Sequence, residues 1–160
     1  MSSFAQLLKQ KLPQTWSDSF TRLFEMETQV TCALWKGGDP HHWIEGQWRV
    51  GDQTSQLWLG ARREMVFQIA AQLTLMPEKR LQALLAQPED PPVVLDAYSE
   101  WGNVAISYLA DLFRQAFGSD ASAKRTGTLV TRDWKPQGGH LDFVLSWGNM
   151  RPEPIRLVIA

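Results

Sequence analysis

The stretch from Val93 to Phe117 constrains this chain more than any other, because it keeps a helical periodicity from end to end. At about 100° per residue, Val94, Ala97, Trp101, Val104, Ala105, Tyr108, Leu109, Leu112 and Ala116 fall on one broad apolar face, which predicts that this face is buried. Asp96, Glu100, Asn103 and Ser107 follow one another at spacings of four, three and four, so they form one stripe on the opposite side. The stripe is expected to point into solvent.

Polar residues opposite an apolar face are what any surface helix shows. Two details of this turn go further. Asn103 is a poorer helix former than Lys, Glu or Gln, and a glycine such as Gly102 in mid-helix costs roughly 1 kcal/mol relative to Ala, so the turn is not written for helix stability. A glycine there lets another backbone or a partner approach closely, and a short amide beside a carboxylate is a compact hydrogen-bonding pair.

The pattern Asp96-x-x-x-Glu100-x-x-Asn103, with Val94-Leu95 before it and Val104-Ala105-Ile106 after it, resembles the helix motif of the CheC/CheX/FliY phosphatases of bacterial chemotaxis, which dephosphorylate the response regulator CheY. In residues the resemblance covers the motif helix; elsewhere it is one of layout. CheC-like members often carry two copies of the motif. Here Arg63 to Met76 offers Glu64 and Gln68 but no Glu-x-x-Asn, which is the single-motif, CheX-like arrangement. The family's frequent proline in the strand region after the asparagine is missing, the next one being Pro136 in a later turn.

The resemblance implies a phosphoaspartate substrate on a CheY-like receiver domain that brings its own Mg2+ and lysine, with no cofactor held by this chain. It implies that Asn103 holds the attacking water, its carbonyl accepting from the water and its NH2 donating elsewhere, as an amide positions water in GTPases. Glu100 would pair with the partner's lysine, and Asp96 and Ser107 would complete the partner contact. CheX-like relatives associate as homodimers, which is expected here too. The alternative from another class is a non-catalytic module that docks a response regulator or flagellar switch protein on the same helix. A third is an oligomeric structural domain whose polar stripe only faces solvent.

Composition agrees with a protein recognised locally. A chain of 160 residues with 44% hydrophobic content and a single cysteine fits one globular domain over 1–160, with no need of disulfides or metal. Sixteen basic against seventeen acidic residues leave a formal charge of -1, which favours neither nucleic acid nor an anionic membrane. Met1 to Phe20 has no long apolar run of signal or membrane-spanning type, and the expected compartment is the cytoplasm. Cys32, flanked by Thr31 and Ala33, reads as a small buried strand residue.

Along the chain, Ser3 to Glu27 reads as a helix broken near Pro13. Gln29 to Lys36, His42 to Val50 and Ser55 to Ala61 read as strands of an antiparallel meander. Arg63 to Met76 is helical up to Pro77, and the segment Gln87 to Pro92 is a loop whose last two prolines open the long helix. Thr126 to Trp134, His140 to Trp147 and Pro154 to Ile159 return to strand. The order predicts an α+β domain: a mainly antiparallel sheet with long helices packed on one face, as the CheX/CheC resemblance also implies.

Other constellations are weaker. Asp39, His41 and His42 lack the further ligands of a metal site, and adjacent histidines point apart on an extended chain, so no metal is assigned. His140 is isolated, and Gly37-Gly38 and Gly138-Gly139 sit between strands, where they read as turns rather than phosphate cradles. The eight tryptophans read as core or interface side chains.

Overall fold

Pro91 is extended and Pro92 opens the long helix, a place where a missing amide hydrogen costs nothing because first-turn amides have no intrahelical partner. The helix then runs unbroken from Pro92 to Phe117 and stops at Gly118, whose φ of 111° is left-handed. A computed structural model describes residues 3–160; Met1 and Ser2 of the expected 1–160 domain lie outside them. The elements are α1 (Ser3–Phe24), β1 (Thr28–Cys32), β2 (His42–Val50), β3 (Gln53–Ala61), α2 (Arg63–Thr74), α3 (Glu78–Leu85), α4 (Pro92–Phe117), β4 (Ser122–Val130), β5 (Gly139–Trp147) and β6 (Glu153–Ile159).

All six strands form one sheet in the order β1-β5-β6-β3-β2-β4, with every neighbouring pair antiparallel. The expected meander is therefore corrected. Of its three strands β2 and β3 form a hairpin, closed by Gly51-Asp52, while β1 lies at the far edge on β5. Strand β1 also ends at Cys32 rather than Lys36, and β4 ends at Val130 rather than Trp134.

The register puts Ile44, Leu59, Leu157 and Leu141 in one row across β2, β3, β6 and β5, and all four are buried. Period-two alternation then gives that face of the sheet to the helices. Helix α4 lies over β2 and β4 with α1 and α2 on its flanks. Enclosure on several sides explains why its buried sector is wider than periodicity predicts: Tyr98, Ile106, Ala110 and Phe113 are buried as well, whereas Ala116 is exposed. The fold is α+β with its helices on one face of an antiparallel sheet.

The other face is covered by connections rather than helices. Trp43 packs over Gly60, where an added Cβ would lie 2.4 Å from the indole. Trp58 meets Trp134 edge-on at 5.8 Å, and Arg156 stacks on Trp35 at 4.9 Å while its guanidinium grips Asp142 at 2.7 Å. Lys135 and Asp39 tie the two covering loops together at 2.5 Å. Trp16, Trp43 and Trp101 are core residues.

Pro13 does not break α1, which is continuous. A proline removes the amide that would bond the carbonyl four residues back. That carbonyl, on Lys9, accepts instead from the Cys32 thiol at 3.5 Å. The same contact corrects the expectation for Cys32: it sits exposed at the sheet edge. No helix among the described residues is long and apolar enough to cross a membrane.

Candidate functional site on the central helix

Asp96, Glu100, Asn103 and Ser107 all lie on α4 and all are exposed, so the structure assembles the predicted stripe. The carboxylates of Asp96 and Glu100 have no hydrogen-bond or ion-pair partner among the described residues. Ser107 donates back to the Asn103 carbonyl at 2.9 Å, which spends its one proton and leaves it an acceptor toward solvent.

Gly102 serves a different purpose from the one its exposed neighbours suggest. It is buried, and a Cβ there would stand 2.7 Å from Cγ2 of Ile44 in the sheet. The missing side chain lets α4 settle onto β2 of its own chain; it does not make room for a partner. The buried face is pinned further by Trp16, whose Nε1 donates to the Ala105 carbonyl at 3.0 Å, and by Tyr98, whose hydroxyl reaches the carbonyls of His42 at 3.1 Å and Leu59 at 3.3 Å. Burial pushes the Tyr98 hydroxyl above its ordinary range, which keeps it protonated and donating.

This close seating brings α4 against the edge strand β4. Between β2 and β4 the register shifts at Glu45/Gly46: Glu45 faces Gly127 and Gly46 faces Arg125, leaving Thr126 as an extra, unpaired residue. Such a bulge changes which side chains share a face. In a regular strand Arg125 and Thr128 would point to opposite sides; here both reach α4. Arg125 Nε donates to Asn103 Oδ1 at 2.7 Å, and Thr128 Oγ1 meets Ser99 Oγ at 2.7 Å. Arg125 was not foreseen from sequence, since nothing local in Lys124-Arg125-Thr126 announces which helix residue it meets.

The remaining candidates lie elsewhere. His42 is buried and its Nε2 is 2.8 Å from Asp90 Oδ2, with Nδ1 unpartnered. Asp90 also accepts from Arg63 at 2.8 Å; burial raises its carboxyl, but the bonds from Arg63 and His42 outweigh this and hold it below the usual range. His140 is exposed and stands 3.9 Å from Asp142. No group of three or more His, Cys, Asp and Glu side chains able to hold a metal converges among the described residues.

No family model matches the chain, and no curated protein matches it in sequence. Solved structures do match in backbone. The FliM middle domain from H. pylori superposes with a TM-score of 0.71 at 7% identity, over 99% of this chain and 93% of that one. Chemotaxis protein CheX from Vibrio vulnificus gives 0.65 at 8% identity over 100% of both chains. The complex of CheX with CheY, BeF3 and Mg2+ from Borrelia burgdorferi gives 0.53 at 10% identity, over 91% of this chain and 93% of the matched one. At such identities the likeness concerns the backbone alone, and on that ground the chain has the fold shared by CheX, CheC-like, FliY and FliM middle domains.

Proposed function

We propose that this chain accelerates the loss of phosphate from a phospho-aspartyl receiver domain of the CheY kind, in chemotaxis or two-component signalling, with α4 as the docking element. The observation that carries the reading is the exposed row of Asp96, Glu100 and Asn103 on one uninterrupted helix, in a fold it shares with a CheX that is seen bound to CheY.

The chemistry asked of the helix is small. A water oxygen forms a bond to phosphorus, the bond from phosphorus to the aspartyl oxygen breaks, its electron pair stays on the leaving carboxylate, and the water's proton ends on the released phosphate. The substrate supplies the Mg2+ and the lysine that neutralise developing charge. Asn103 then orients the water. Its Oδ1 has two acceptor positions, one of them taken by Arg125, and its NH2 carries two donors without charge to repel the phosphoryl oxygens. Glu100 pairs with the substrate's lysine, with Asp96 one turn earlier and Ser107 one turn later at the margins of the contact. No cofactor of its own enters this scheme.

Phosphate release from a phosphorylated CheY-type receiver domain in Mg2+ tests the reading. Wild-type protein should accelerate release, and Asn103→Ala should lower it by roughly two to three orders of magnitude while leaving binding nearly intact, as expected when a transition-state positioning group is lost. Glu100→Lys should weaken the complex itself by reversing a contact charge. Hydrolysis by Asn103→Ala at the wild-type rate overturns the assignment. The match to a FliM middle domain favours a second reading, in which the same helix docks a partner without hydrolysis. Binding with no acceleration by the wild type would decide for it. Association as a homodimer belongs to the first reading, and a monomeric mass by light scattering would remove it.

A further inference from the structure

We infer that Arg125 is a positioning residue for Asn103, fixing which group of its amide faces a docked receiver domain; this rests on the hydrolytic reading above. An asparagine amide turns about a broad, nearly two-fold torsion, and its two ends have opposite hydrogen-bonding character. On an exposed helix face nothing intrinsic to Asn103 selects one orientation. Arg125 does, because a guanidinium only donates, and its Nε lies 2.7 Å from the amide oxygen. The oxygen is thereby fixed on the β4 side with its second lone pair left to accept from the water, and the NH2 group is presented outward to donate.

The guanidinium is itself held. Ser99 Oγ donates its one proton to the Leu95 carbonyl at 2.8 Å, so in the 2.7 Å contact with Thr128 it is the acceptor and Thr128 Oγ1 the donor. Thr128 Oγ1 is left with lone pairs, one of which faces Arg125 Nη1 at 3.5 Å. The direction of every bond follows: Arg125 donates to Thr128, Thr128 to Ser99, and Ser99 to the helix backbone. Ser99 and Asn103 are one turn apart on α4, so Arg125 is tied to the helix at two points, directly at Asn103 and through Thr128 at Ser99. The bulge at Glu45/Gly46 is what places Arg125 and Thr128 on the same side.

The test compares steady-state hydrolysis of a phosphorylated CheY-type receiver domain by wild type, Arg125→Ala, Arg125→Gln, Arg125→Lys, Asn103→Ala and the Asn103→Ala/Arg125→Ala double variant, with a thermal midpoint for each. Loss of Arg125 should lower kcat by about tenfold or more with KM little changed, the scale of a misplaced catalytic group. Lysine keeps the charge but not the fork, and should restore only part of the rate. In the Asn103→Ala background, removing Arg125 should cost nothing further, because the group it positions is already gone. Arg125→Gln carries the comparison if Arg125→Ala does not fold. An unchanged kcat, a rise in KM alone, or the same loss with and without Asn103 overturns the inference while leaving the hydrolytic reading intact. No acceleration by wild type overturns both.

Discussion

Helices α2 and α4 lie side by side on the same face of the sheet and use their polar residues in opposite ways. On α2, Arg63 is committed to its own chain: beside Asp90 it donates to the carbonyls of Leu85 at 2.9 Å, Gln87 at 2.7 Å and Glu89 at 3.1 Å, and its guanidinium covers the Phe67 ring at 4.4 Å. Gln72 likewise donates to the Phe24 carbonyl at 2.9 Å. On α4, Asp96 and Glu100 are exposed and make no such bond among the described residues, and Asn103 is held there by Arg125 from the β4 side. Polar groups tied into the chain organise the loop before α4; polar groups left in water remain for something else to meet.

Breaking the bound side of the comparison should give the largest effect. Arg63→Ala leaves Asp90 with His42 alone and strips a donor from the carbonyl of Leu85 at the end of α3 and from those of Gln87 and Glu89 in the loop, a loss of about 2–4 kcal/mol by urea denaturation. The pH dependence sharpens it. Asp90 is depressed in the folded state, so its contribution is present above the unfolded carboxylate range and is lost as pH falls through the depressed value. Acid unfolding should therefore be shallower in Arg63→Ala than in wild type over that window.

A smaller effect is expected at Gly102. Alanine would gain about 1 kcal/mol in helix propensity but would collide with Ile44, an overpacking cost of about 1–3 kcal/mol, so Gly102→Ala should lower stability modestly. A glycine kept for a partner would respond with the opposite sign, and a truncation at Ile44 should change the penalty because the two sites touch. The smallest effects belong to the free side of α4. Asp96→Ala and Glu100→Gln should each stay within about 0.5 kcal/mol of wild type in stability. A loss well beyond that would show that these carboxylates serve the fold after all.

Part of this molecule was legible because its signals are local. Helical period places Val94, Ala97, Trp101, Leu109 and Leu112 inward and Asp96, Glu100, Asn103 and Ser107 outward whatever surrounds the helix, and the structure agrees. Proline at the start of α4 acts within a few residues of itself and was readable too, as was the pairing of β2 with β3, although the turn is Gly51-Asp52 rather than the four residues 51–54 between the expected strands. The break expected at Pro13 failed because a local cost was overridden by burial of Leu8, Leu12, Trp16 and Phe20 against the rest of the fold.

By itself, then, the sequence determined a long amphipathic helix with a row of acid, acid and amide on its open side, together with an α+β order of elements. Only the tertiary structure decided that β1 leaves its sequence neighbours for the far edge of the sheet, that Gly102 faces Ile44, and that Arg125 holds Asn103. The reason is range. Periodicity and turn chemistry are properties of adjacent residues, whereas strand partners and the side shared by Arg125 and Thr128 depend on a register, and one unpaired residue in β4 is enough to change which atoms meet.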